Sequence, residues 1–432
     1  MPATLGTINT EETWTTSTIE AVLKEYFLSP LYDTVNREID LLKAFQKGIV
    51  EWSGKRAIVP VRVGRNTGVG SAAENANLPT ATNQVKEDLN IYAAYVYGTF
   101  EVTGPAEAAG ENKGIGSLIN VLEDEMSGIE DDLRNYCDRT MWSGRRCVGF
   151  LNEHKVGGGG ATWDFSGDGT RLNELIAESA GPDIVIIRGD TYATVATTTI
   201  TSVNIAAGTV VIAGAVSTDT VANGFGCMLL VSEASLTNAS EPQGVYGNLS
   251  EPTHFGVLRT SAGGGRTTLQ SNILTVAVSG AHDRTTLTAR SLQRALGEIR
   301  VQSGDDADEL WSHENMRQEY FSLATGSANS IAFDPKSGAT KIDMGGTEMT
   351  FAGKPWRTSR HCGTGLIFFS NRDSWVVAEL GKFKLADIDG KTLQRVANRD
   401  AVGGYVRWYY QLVCKGPRKN AILCGIDFTG AA

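Results

Sequence analysis

Between Asn112 and about Met141 the apolar residues return every three or four positions, at Ile115, Ile119, Leu122, Met126, Ile129, Leu133 and Tyr136. That period predicts one amphipathic helix, about 45 Å long at roughly 1.5 Å per residue. Its other face carries Glu123, Asp124, Glu125, Glu130, Asp131 and Asp132, so it reads as a girder with a solvated side. Upstream, Ser17 or Thr18 can cap a helix bearing Ile19, Val22, Leu23, Tyr26 and Phe27, and Pro30 interrupts it. A second helical stretch, with Leu31, Val35, Ile39, Leu42 and Phe45 along one side, runs to Gly48. Residues 1–48 are thereby predicted to form an N-terminal arm.

Ala57–Val63 alternates as a strand whose Pro60 favours an edge, and Tyr92–Thr103 is predicted as the strand that returns beside it. Residues 49–104 thus read as a polar arm without a core of its own. Between its strands, residues 64–90 offer only Val69, Leu78, Val85 and Leu89 as sizeable apolar side chains, too few to offset the ordering entropy of so long a segment. The tip is either disordered or lies on another molecule. The long helix is predicted to stop near Trp142-Ser143-Gly144, with a glycine-rich connection to Asp168. Short β-runs from Ile184 to Val231 suit an inserted small barrel or sandwich. Ile273–Val278 reads as a strand, Leu287–Val301 and Glu314–Leu323 as helices, and Asp305–Glu309 as an acidic, solvated run between them. A strand pair, Glu348–Phe351 with Leu366–Phe369, precedes a charge-mixed loop at 381–400. Two closing strands, Tyr405–Lys415 and Ala421–Phe428, part at Gly416-Pro417. On Tyr405–Lys415 both the Tyr405/Arg407/Tyr409 face and the Val406/Trp408/Tyr410 face look covered, which predicts a buried central strand. No internal repeat and no strand–helix alternation occurs, which argues against a doubly wound sheet.

The chain has 432 residues, 41% of them hydrophobic, enough for sizeable cores. Its 39 basic and 49 acidic residues leave a net charge of −10, the wrong sign for gripping nucleic acid by phosphate neutralisation. Six dispersed cysteines form no CxxC pair, so neither a disulfide framework nor a zinc site is expected. The N-terminus lacks a signal-peptide pattern and no stretch is apolar enough to span a bilayer, so synthesis in the cytosol and no membrane contact are expected. The 49 glycines gather between elements, as bends and hinges.

Catalytic patterns are missing. Gly390-Lys391-Thr392 ends like a phosphate-binding loop, but Leu385 stands where that loop needs glycine. Asp387-Ile388-Asp389-Gly390 lacks the third ligand and the closing Glu of a calcium loop. No nucleophile elbow, zinc-protease helix or dinucleotide turn is present, and His361-Cys362 is the one adjacent His/Cys pair. The expectation is a protein that is not an enzyme, with no catalytic residue, cofactor or metal.

The order of parts resembles the HK97-fold major capsid proteins of tailed bacteriophages, over essentially the whole chain. Leu23–Gly48, LKEYFLSPLYDTVNREIDLLKAFQKG, looks like that family's N-arm, Gly54–Thr103 like its extended E-loop hairpin, and Lys113–Gly144 like its spine helix. Thr285–Ser322 is similar to its axial-domain helices, and Gly381–Val402 to the loop facing neighbours around the capsomer axis. The resemblance implies an α+β HK97-like capsid fold in seven parts. These are an N-arm at 1–48, an E-loop at 49–104, a peripheral domain with its spine helix at 105–180, and an inserted β domain at 181–240. A return to the peripheral domain at 241–284, an axial domain at 285–401 and closing strands at 402–432 complete it.

The resemblance further implies a major capsid protein. It would assemble as hexamers and pentamers, in the host bacterial cytoplasm, into an icosahedral shell around double-stranded DNA, and reside in the virion capsid. Its partners would be copies of itself, DNA by weak non-specific contact, a portal protein, a separate scaffolding protein or none, and a decoration protein. Arg62, Arg65, Lys86, Glu87 and Asp88 on the hairpin, with Lys382, Lys384, Asp387, Arg395 and Arg399 on the charged loop, are the candidate inter-subunit contacts. Exposed pairs of this kind contribute roughly 0–1 kcal/mol each and add by repetition. The rival readings are an encapsulin-like nanocompartment shell, which shares the fold, and a β-rich receptor-binding or tail protein.

Overall fold

The computed structural model describes residues 40–48, 52–104, 115–144, 146–154, 162–178, 182–189, 192–214, 227–232, 241–259, 265–276, 285–326, 349–386, 394–395 and 398–428. These fall into two compact units. One holds Val96–Asn135 and Gly381–Trp408, the other Asp40–Tyr95, Tyr136–Leu380 and the chain from Tyr409 onwards. The long helix spans Ile115–Trp142, 28 residues, or about 42 Å, and supplies turns to both.

In the first unit the helix packs on the strand through Val96–Thr103. A Cβ at Gly98 would sit 2.9 Å from Leu133 Cδ1 and 3.1 Å from Ile129 Cγ2, so the missing side chain permits the approach. Leu133, Val96 and Phe100 are buried there. The N–H of Gly104 donates to Asp400 O at 2.8 Å. Gln394 and Arg395 pair antiparallel with Gly403 and Val402.

The second unit contains a closed six-stranded barrel, a mixed sheet and the hairpin. Around the barrel the strands run Thr209–Ile212, Thr162–Gly167, Cys147–His154, Cys227–Val231, Asp183–Arg188 and Thr194–Asn204. The short β-runs were expected to begin near Ile184, after a glycine-rich connection; instead two of the barrel strands are built from that connection. Trp163–Gly167 is buried at every position, with Trp163 and Phe165 in the barrel core and the polar Asp164 and Ser166 buried on the other face; the segment alternates, but it is short and adjoins the glycine run at 157–160. Ile200, Val210, Leu229 and Leu172 fill the interior.

The mixed sheet runs Asn272–Thr275, Ala421–Cys424, Ile367–Ser370, Glu309–Ser312, Lys354–Thr358 and Met349–Phe351. The expected strand pair does not form: Met349–Phe351 pairs with Lys354–Thr358 at one edge, and Ile367–Ser370 with Glu309–Ser312 in the middle of the sheet. The helix Ala289–Ser303 opens on a capping box between Thr288 and Ser291 and closes on a left-handed Gly304, which sets its ends. Leu292, Leu296 and Ile299 face the sheet, and from the helix Glu314–Gly326 Met316 and Tyr320 meet Trp356 and Phe351.

The acidic run is the largest departure from expectation. Glu309 is 0% exposed and begins a buried strand. Its Oε2 accepts from Arg372 Nη2 at 2.6 Å and Arg357 Nε at 3.1 Å. Asp306 meets Arg300 at 2.9 Å and Lys354 at 3.1 Å, and Asp305 meets Lys419 at 2.6 Å. The run is tied to helix, sheet and turn; apart from Arg300 its basic partners are distant in sequence, so the charges alone read as a solvated loop.

Of the predicted arm, residues 1–39 lie outside the described residues. Its end forms the helix Asp40–Ala44, which buries Leu41 and Leu42, and a strand, Gln46–Gly48, parallel to Val376–Ala378. Phe45 stacks on Trp375 with ring centres 4.9 Å apart.

Candidate assembly interface

The hairpin pairs Arg56–Arg62 with Lys86–Tyr92, in register from Arg56↔Tyr92 to Arg62↔Lys86. The return strand is therefore not Tyr92–Thr103; Ala94–Thr103 is a separate strand in another sheet. The charge-rich KEDLNIY hid the true partner, because only Leu89 and Ile91 mark its inner face. The hairpin base also has a core, contrary to the expected arm without one. Ala57, Val59, Val61, Val63, Leu89 and Ile91 pack with Leu269, Ala378 and Val413. Among the described residues, one side of the first strand has no paired strand beyond Arg56–Ala57, which accommodates Pro60.

The missing core is confined to the tip. Val69 and Leu78 are 85% and 84% exposed. The ladder ends where the N–H groups of Val63 and Gly64 both donate to Val85 O, at 2.9 and 3.2 Å. Further out a second tie crosses the loop. Thr82 Oγ1 donates to Asn66 Oδ1 at 2.6 Å and accepts from Thr67 N at 2.9 Å, and Thr67 Oγ1 lies 3.0 Å from it. Gly68 N donates to the same Asn66 oxygen at 2.7 Å.

The candidate contact residues divide by environment. Arg62, Lys86 and Asp88 project from the outer face of the paired strands, and Arg65 lies exposed just beyond them. Glu87 turns inward, where its Oε1 accepts from Arg266 Nε at 2.9 Å, so within one chain its charge is already matched. In the first unit Lys382 and Lys384 are exposed on either side of buried Phe383, which meets Trp408 edge-on at 6.3 Å. Arg395 borders a cavity of about 210 Å3 beside Glu101 and Tyr405, and Arg399 lies 3.8 Å from Glu101. Asp387 lies outside the described residues, as do the calcium-like and phosphate-loop-like sequences at 387–392. Sequence reasoning passed over Asn66, Thr67, Thr82 and Arg266. Nothing in a polar threonine-rich loop distinguishes residues that bond across it from residues that do not.

Tyr405–Lys415 was expected to be covered on both faces. Val406, Trp408 and Tyr410 are buried, but Tyr405, Arg407 and Tyr409 keep partial exposure. Tyr405 meets Tyr97 at 6.2 Å, and Tyr409 meets Tyr95 edge-on at 5.2 Å.

The His361-Cys362 neighbours serve packing. Cys362 Sγ accepts from Tyr246 Oη at 3.8 Å, and burial holds its thiol well above the ordinary range. His361 Nε2 accepts from Arg360 Nε at 3.0 Å. Burial, then the Arg360 and Arg139 charges, pushes its pKa down to about 4. Among the described residues no three His, Cys, Asp or Glu side chains group to hold a metal. No described helix is long and apolar enough to cross a membrane.

Hairpin, long helix, barrel and mixed sheet make the described residues a mixed α+β fold. The sequence matches no protein-family model and no curated protein. In structure the chain is similar to the subunit of the cyanophage A-1(L) capsid asymmetric unit, with a TM-score of 0.54 at 11% identity over 90% of this chain and 93% of that one. It also aligns with the capsid of a native GTA particle, at TM-score 0.44 and 8% identity over 99% and 95% of the two chains. The SrpI encapsulin of Synechococcus elongatus PCC 7942 aligns at 0.42 and 11% over 91% and 90%. The cyanophage likeness carries the fold.

Proposed function

We propose that this chain is the major capsid protein of a tailed phage. It self-assembles as hexamers and pentamers into an icosahedral shell that encloses double-stranded DNA and forms the virion capsid. The carrying observation is a capsid-class fold whose hairpin is anchored at its base by a core shared with Leu269, Ala378 and Val413 and presents Val69 and Leu78 to solvent at its tip. A monomer gains nothing from holding apolar side chains out on a rigid stalk; a neighbour that covers them does. In this reading Ile115–Trp142 is the spine helix, the six-stranded barrel is an inserted domain, and the charged residues named above make weak contacts repeated around each ring. The mixed signs of Lys382, Lys384, Asp387, Asp389, Lys391, Arg395, Arg399 and Asp400 suit identical neighbours that must not repel one another. A net charge of −10 suits a container that meets its DNA without binding it tightly.

Electron microscopy of the purified protein tests this. Closed icosahedral shells, with DNA in particles recovered from infected cells, are expected. Monomers at high concentration would refute the reading, and shells filled with protein cargo would turn it toward a nanocompartment.

A further inference from the structure

We infer that Asn66, Thr67 and Thr82 are positioning residues for assembly: they clasp the hairpin loop at its neck and preset residues 69–79 for a second copy of this chain. The inference rests on the capsid reading. Thr82 has one hydroxyl proton and two lone pairs, and all three have partners. The proton goes to Asn66 Oδ1 at 2.6 Å, and the lone pairs face Thr67 N at 2.9 Å and Thr67 Oγ1 at 3.0 Å. Asn66 Oδ1 also receives Gly68 N at 2.7 Å, so one amide closes the turn and ties the opposite limb. The limbs cross at backbone contact: a Cβ on Gly68 would stand 2.8 Å from Thr80 O and 3.2 Å from Ala81 Cα.

Beyond the clasp the loop folds back through a turn in which Ala76 N donates to Ala73 O at 3.0 Å, with Asn75 at φ 71°. Val69 and Leu78, 85% and 84% exposed, thus emerge from adjoining limbs just past the tie. Glu74 is the single charged residue between Asn66 and Thr82, so recognition falls to apolar contact and neutral amides. A loop already closed loses less entropy on docking than one that must first find its shape. The clasp does not touch the neighbour; it acts through Val69 and Leu78.

The test uses the full chain with Thr82→Val, the rescue Thr82→Ser, and the pair Val69→Ser with Leu78→Ser. Two readouts are taken: hydrogen exchange of the Thr67, Gly68 and Ala76 amides in unassembled subunits, and the critical concentration for shells. Thr82→Val is expected to speed exchange of these amides by about tenfold and to raise the critical concentration roughly fivefold, with the melting temperature unchanged. Thr82→Ser restores both. The Val69/Leu78 pair raises the critical concentration and leaves exchange as it was. Assembly of Thr82→Val at the wild-type concentration, or unchanged exchange, overturns the clasp alone. Wild-type protein that forms no shells at any concentration overturns the capsid reading and the inference with it.

Discussion

At the scale of single residues, the buried charges govern stability. Glu309 is enclosed with two guanidinium groups on one carboxylate oxygen, and removing it strands both cations. Breaking a buried pair costs about 3–5 kcal/mol. Here the arginines are 42% and 40% exposed, so water recovers part of that. Glu309→Ala should lower the unfolding free energy by roughly 2–3 kcal/mol, read from the urea midpoint. His254 makes the acid side of the profile. Its Nε2 donates to Cys414 O at 2.8 Å, leaving Nδ1 to accept from Arg259, an arrangement that needs the neutral ring. Burial first, then the Arg259 charge, holds its pKa well below 6.5. The unfolded chain binds this proton more readily, so the stability is fully present above about pH 6.5 and drains as pH falls toward the folded value. His313 and His361 shift the same way. The urea midpoint should decline from pH 7 to 5 with proton uptake on unfolding; a flat midpoint across that interval would contradict the assignment. Neither residue was legible beforehand. Glu309 sat in an acidic run, and His254 had no partner within local reach.

Among the elements, those whose burial follows a regular period were readable and those buried on both faces were not. The long helix was placed within a few residues by its three-to-four spacing, and its stop at Gly144 follows from chemistry. Gly144 is left-handed at φ 54°, and a Cβ there would stand 2.0 Å from Gly244 N. Gly144→Ala therefore combines a disfavoured conformation with a backbone clash that no rotamer relieves. It should cost more than about 3 kcal/mol, seen as loss of soluble folded protein or a Tm lowered by several degrees. The strand Cys147–His154 escaped because Gly149 and the adjacent Phe150-Leu151 broke its alternation, and Thr162–Gly167, which does alternate, because it is short and adjoins the glycine run at 157–160. The hairpin was half read: its first strand alternates, but its partner is charge-rich and was displaced onto Tyr92–Thr103.

For the molecule as a whole, the division between hairpin base and tip determines what assembly needs. The base shares a core with Leu269, Ala378 and Val413, whereas the tip contributes no buried apolar side chain to its own chain. Replacing residues 66–82 with a short turn should therefore leave the unfolding transition of isolated subunits within about 1 kcal/mol of wild type, since surface changes away from the core rarely cost more. Sedimentation and electron microscopy should then find subunits without stable shells. Intact particles from this deletion would remove the hairpin from the assembly scheme.

Sequence alone determined what depends on neighbours a few positions away: the long helix, the lone polar tip, the six cysteines without a pairing pattern, and the order of parts that resembles a capsid protein. Tertiary structure decided what depends on partners far along the chain. Arg357 and Arg372 turned Glu309, the end of a solvated-looking acidic run, into a buried ion cluster. Lys86–Tyr92, not the more apolar segment after it, closed the hairpin, and Thr82 reached back to Asn66 across the loop. The physical reason is common to all three. Helical period and caps are written in residues within one turn of each other, while strand pairing and ion pairing are settled by which distant segments the fold brings to hydrogen-bonding distance.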